Sequence, residues 1–194
     1  MADKKKKSIF KRWWFWAVVI IMIFVIKGIA TSGGSPTSKP TAGQSSTEGK
    51  KYTYEKFLKV SMGMTYDQVK AILGDGTEES STGDGADKTV SYTWKNDDGG
   101  NISVMIQGTK VTNKAQAGLQ SMDAKVTMEK YNKIKSGMTY DQVKEILGEG
   151  QLISETELMG TKDQMYEWIN SDGANMNITF QNGKVDTKTQ FELK

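Results

Sequence analysis

The chain has 194 residues, with 26 Lys/Arg, 23 Asp/Glu, no His and no Cys. That length admits one or two small domains, and the composition excludes disulfide frameworks, thiolate nucleophiles, imidazole bases and Cys/His metal or haem sites. The formal net charge of +3 is misleading: residues 1–50 hold nine basic and two acidic residues, leaving 17 basic against 21 acidic beyond them. A mildly acidic body lacks the phosphate-neutralising surface that nucleic-acid binding needs, so no nucleic-acid partner is expected.

Lys4, Lys5, Lys6, Lys7, Lys11 and Arg12 form a basic end (1–12) before an uncharged apolar run from Trp13 to Ile26. As a helix that run would extend about 21 Å; continued to Ala30, with Lys27 snorkelling, it reaches about 27 Å, close to a hydrocarbon core. Trp13, Trp14 and Trp16 fit an interfacial aromatic belt, so 13–30 is expected to be a retained transmembrane signal anchor. Gly28-Ile29-Ala30 keeps open the alternative of cleavage and secretion. With a retained anchor, the positive-inside rule leaves 1–12 in the cytoplasm and the carboxy-terminal part outside. Residues 31–50 contain both prolines and no large apolar side chain. They read as a flexible linker with a reach of about 25 Å, which favours a protein partner near the outer membrane face.

The rest is an internal repeat. Tyr54–Lys114 align with Met128–Lys188 at a constant offset of 74, and GMTYDQVKAILGDG (63–76) recurs as GMTYDQVKEILGEG (137–150). Two tandem modules follow, 51–122 and 123–194. In each, Phe57/Val60 and Tyr131/Ile134 have the spacing of a short helix. Thr65-x-x-Gln68 and Thr139-x-x-Gln142 predict capping boxes for a second helix that ends at Gly74 or Gly148. The period then becomes two. Val90, Tyr92 and Trp94 alternate with Ser91, Thr93 and Lys95, and Ile102, Val104 and Ile106 with Ser103, Met105 and Gln107, across a turn at 95–101. In the second copy Tyr166 and Trp168 oppose Met165, Glu167 and Ile169. With strands near 77–82 and 110–114, the expected fold is α+β: per module, two short helices cover one face of a four-stranded antiparallel sheet and leave the other free.

The GMT-x-x-Q-V-x-x-I-L-G helix, the two helices before a four-stranded sheet, the tandem copies and the closing Lys114-Ala-Gln116 and Lys188-Thr-Gln190 resemble the β-lactamase inhibitory protein (BLIP) family, which includes small secreted or anchored Gram-positive proteins. A single module has a weaker similarity to SmpA/OmlA-type envelope lipoproteins, which carry a lipidated Cys that this chain lacks. The BLIP resemblance implies side-by-side modules whose sheets grip a partner protein, with a hairpin-borne Asp entering its active site. Carried over, that Asp falls in the turn holding Asp97 and Asp98. The two disulfides of the family are absent here.

No catalytic residue, cofactor or metal site is expected, because the carboxylate pairs Asp84/Asp87 and Asp97/Asp98 sit among turn glycines. The leading reading is a monomeric, non-enzymatic, membrane-anchored extracytoplasmic module that binds a protein. Its alternatives are an inhibitor of a β-lactamase or other cell-wall enzyme, and a structural or assembly factor of the envelope. Candidate partner-binding residues are Lys95, Asp97, Asp98, Met105, Met165, Glu167, Ile169 and Asp172. Met adapts to irregular surfaces, and Ile169 stands where the first repeat has Lys95. Met165 and Ile169 could equally seal the junction between modules.

Overall fold

Threonine hydroxyls start every α-helix among the residues that the computed structural model describes, 50–194. Thr53 accepts from Lys56 N to open α1 (Tyr54–Lys59), and Thr127 accepts from Lys130 N to open α3 (Met128–Lys133). Thr65 and Thr139 open α2 (Tyr66–Leu73) and α4 (Tyr140–Leu147) with complete capping boxes. Each N-cap amide donates to the Gln side chain at 2.9 and 3.0 Å, which satisfies amides that a short helix would otherwise leave unpaired. The basic end, the apolar segment 13–30 and the linker up to residue 49 lie outside the described residues. Within them no helix is long and apolar enough to cross a membrane.

Eight strands follow the alternating pattern: β1 (Thr77–Thr82), β2 (Thr89–Lys95), β3 (Asn101–Gln107), β4 (Lys110–Ala117), β5 (Gln151–Leu158), β6 (Thr161–Ile169), β7 (Asn175–Gln181) and β8 (Lys184–Phe191). Each repeat supplies the four antiparallel strands expected of it, and the structure adds that the two sets are joined. All eight strands form one antiparallel sheet in sequence order, because β4 pairs with β5 through Asn113↔Thr156, Lys114↔Glu155 and Ala115↔Ser154. The helices of each repeat cover the same face. Phe57, Val60, Val69, Trp94, Ile102 and Val104 fill the first core, and Ile134, Val143, Trp168, Met176, Ile178 and Phe180 the second.

The repeated Gly-x-Gly after each long helix is shaped by the tryptophan. Trp94 Nε1 donates to Gly74 O at 3.0 Å and Trp168 Nε1 to Gly148 O at 3.1 Å. A Cβ on Gly76 or Gly150 would stand 2.6 or 2.5 Å from the same indole ring, so only glycine lets the backbone lie against it. The indole is thereby packed and its N–H satisfied, the two conditions a buried Trp needs.

The junction of the repeats rests on a buried cation. Lys114 is 3% exposed; its ammonium donates to Val60 O at 2.6 Å at the end of α1, lies 4.7 Å from the centre of the Phe57 ring and meets Glu155 Oε2 at 3.3 Å. Burial pushes the ammonium below the ordinary lysine range, and the Glu155 carboxylate opposes that shift. Glu155 is held in turn by Lys162 at 2.7 Å. The equivalent Lys188 repeats the first contacts, with Tyr131 O at 2.6 Å and Ile134 O at 2.9 Å, but has no carboxylate among the described residues. Ser81 occupies in β1 the place of Glu155 in β5.

Two outcomes follow for urea unfolding. Trp168→Ala is expected to cost about 3 to 5 kcal/mol, and Asp172→Ala, at an exposed turn, far less; matching midpoints would contradict the assigned core. Glu155→Gln is expected to cost about 3 kcal/mol by leaving Lys114 buried without its counter-charge, whereas Glu129→Gln, which breaks the exposed pair with Lys133, moves the midpoint little.

Candidate functional site

Beyond Ala115↔Ser154 the main-chain pairing of β4 and β5 stops, although both strands continue. Side chains of the first repeat then satisfy the unpaired backbone of Leu152. Its N–H donates to Tyr54 Oη at 2.7 Å, and its carbonyl accepts from Gln116 Nε2 at 3.1 Å. Tyr54 has Met128 as its counterpart, so this hydroxyl belongs to the junction alone. Burial raises the Tyr54 pKa, and the hydrogen bond from Leu152 N–H opposes that shift.

The divergence opens a groove of about 720 Å³, lined by Gln116, the connection after it except the core residue Leu119, Gln151 and Ile153 of β5, and Glu167 and Ile169 of β6. Glu167 lies opposite Gln151 on one side and Asn177 on the other, neither of them charged. Burial alone pushes its carboxyl above the usual range. Asp123 is the groove's other carboxylate and no lysine or arginine lines it.

The first repeat serves as an internal comparison. At the positions of Ile153 and Ile169 it has Glu79 and Lys95, which form an ion pair at 2.9 Å, and at the position of Glu167 it has Thr93. The bulges in β1 and β5 fall at corresponding places, between Glu78 and Ser80 and between Leu152 and Ser154. The backbone is therefore copied while the surface changes from a self-neutralised pair to an apolar pair beside an unneutralised acid.

Of the sequence candidates, the structure brings Glu167 and Ile169 together in this groove. Met165 lies on the same face of β6, opposite Ser154 and Thr179, and does not line it. Met105 is half-buried on the free face of β3. Lys95, Asp97 and Asp98 are at the β2–β3 turn. Asp98 accepts from Gly100 N at 3.0 Å and pairs with Lys50 at 2.7 Å, which holds its carboxyl below the usual range, with the Lys50 hydrogen bond as the larger cause. Asp172 accepts from Ala174 N at 3.0 Å in the matching β6–β7 turn. Sequence reasoning missed Gln116, Gln151 and Ile153. The signal for Ile153 was present in the exchange of Glu79 and Lys95 for two isoleucines. It missed Phe191 as well, 57% exposed on the free face of β8 opposite Asn175, which itself opposes Ile169.

The sequence matches the family model of the β-lactamase inhibitor (BLIP) over residues 53–168 and again over 147–194. The chain belongs to the BLIP family. Its fold is shared by the crystal structure of a candidate β-lactamase inhibitor protein from Streptococcus mutans, 24% identical, with a TM-score of 0.61 over 72% of this chain and 95% of that one. No curated protein matches the chain.

Because the folded state favours a protonated Glu167, its contribution to stability is fully present below the unfolded-state pKa near 4.3 and is lost as pH rises through the raised folded value. Glu167→Gln is therefore expected to raise the melting temperature at pH 7, with the gain disappearing when the same scans are run at pH 4.

Proposed function

We propose that this BLIP-family protein is a non-enzymatic, membrane-anchored, extracytoplasmic module that binds a protein through the free face of its eight-stranded sheet. The observation that carries the reading is the departure of the second repeat from the first on that face. Ile153, Ile169 and Phe191 put apolar side chains at one end of β5–β8, where the first repeat has Glu79, Lys95 and Ala117. Uneven enrichment of large apolar side chains among polar neighbours is what an interface needs and a solvated sheet does not. The helical face is occupied by its own cores. A chain without Cys or His, in an inhibitor family, gives no support to a catalytic role.

Family membership favours a second, narrower reading, in which the partner is a β-lactamase or a related cell-wall enzyme. The anchor rests on the sequence of residues 1–30, and its short linker confines the module to partners at the membrane face.

A photo-crosslinking amino acid at Thr179, on the free face, is expected to capture one partner in intact cells, while the same group at Glu145, exposed on α4, captures none. Phe191→Ala is expected to weaken that partner's binding at least tenfold with an unchanged urea midpoint. Equal crosslinking from both positions would overturn the reading. Steady-state inhibition of a class A β-lactamase by the purified chain would select the narrower form, and a crosslinked partner without such inhibition would assign a different envelope protein.

A further inference from the structure

We propose that the groove between β4 and β5 is a receptacle for an arginine side chain presented by the protein partner. The inference rests on the free face being a binding surface and names the chemistry that one part of it recognises.

One buried acceptor in the lining of the groove has no donor among the described residues. Gln116 is 3% exposed, and its orientation is fixed because Nε2 is committed to Leu152 O. Its Oε1 is therefore an acceptor, and it is buried with no donor among the described residues. Leaving such an atom unpaired is costly, and most buried polar atoms have a partner. The second repeat shows how the same residue is satisfied when no groove is present: Gln190 Oε1 accepts from Leu193 N at 3.1 Å. In the first repeat the corresponding residue is Leu119, and its amide does not reach Gln116, whose side chain is turned to bridge the seam instead.

A second acceptor lies in the same groove. Glu167 has no cation within ion-pair distance among the described residues, and the lining carries two carboxylates and no basic group. The carboxylate of Asp123 accepts from Ser171 N at 3.1 Å. The complement to this surface is cationic, rich in donors and partly apolar. Arginine meets all three needs: its guanidinium offers five N–H donors in a planar fork and is weakly hydrated, and its methylene stem can lie along Ile153, Ile169 and Met122. An ammonium concentrates its charge on one strongly hydrated nitrogen and must lose more hydration to enter. The Ile153/Ile169 pair fits the same account. An ion pair kept there, as Glu79 and Lys95 keep it in the first repeat, would supply a resident lysine beside Glu167 and occupy the place of an incoming cation.

The test is a side-chain and backbone amide NMR titration of the full chain in detergent with Nα-acetyl-arginine amide, compared with Nα-acetyl-citrulline amide, its neutral isostere. Saturable shifts are expected at the Gln116 side-chain amide and at Glu167 and Ile169, with citrulline binding at least tenfold more weakly. Glu167→Gln, which leaves the fold intact, is expected to lose at least tenfold for arginine. Ile169→Lys is expected to abolish its shifts, and Glu129→Gln to change nothing. Equal binding of the two amides, shifts that never saturate, or shifts scattered over exposed carboxylates would overturn the proposal. If the arginine probe fails while crosslinking from Thr179 persists, the receptacle is refuted and the protein-binding face stands; loss of both refutes the face itself.

Discussion

The burial of the Lys114 ammonium is the constraint on which the junction depends. A lone cation in an apolar interior is expensive, so its position is fixed by whatever can solvate it. The last carbonyls of α1 and the face of Phe57 supply part of that solvation from within the first repeat, and Glu155 supplies the rest from the second. Meeting that demand brings β4 and β5 into register over three residue pairs and makes one sheet of two. Past those pairs the strands diverge, and the groove is the space between them.

Tandem duplication makes the molecule its own reference. Capping boxes, Gly-x-Gly and tryptophan, the β-bulges and the Asn clamps recur with nearly the same distances. Asn96 bonds both main-chain groups of Tyr52 at 3.0 and 2.7 Å, and Asn170 does the same for Val126 at 2.7 and 2.9 Å. What recurs holds the unit together. Among the positions that differ, Tyr54 against Met128, Glu155 against Ser81, Glu167 against Thr93 and the isoleucine pair against the ion pair fall at the junction and the groove. Fold and site are thus carried by separable sets of residues.

The same separation explains what could be read from the sequence. Helix starts, strand alternation and the identity of the buried face were legible because caps and periodicities act over three or four residues. Ile169 was legible as a departure from the repeat, and Glu167 as a residue of the free sheet face. The joined sheet was not, since Lys114 and Glu155 are distant in sequence and either of two lysines, 114 or 188, could have met the acid. Gln116 looked like half of a closing pattern shared with Gln190. Only the pairing of β4 with β5 turns one of these two equal glutamines away from its own backbone and leaves an oxygen uncovered.

Lys188 shows what a single carboxylate contributes at the seam. β8 and β1 are the outer strands of the described sheet and correspond in the repeat to β4 and β5, which join inside the chain, so a head-to-tail contact between two molecules would extend the sheet without closing it. Such a joint would set Lys188 against Ser81, where the internal one sets Lys114 against Glu155. The ammonium would be sealed from water with a hydroxyl in place of a carboxylate, an arrangement disfavoured by several kcal/mol. One glutamate, present at the inner edge and replaced by serine at the outer one, makes the internal seam the better matched of the two.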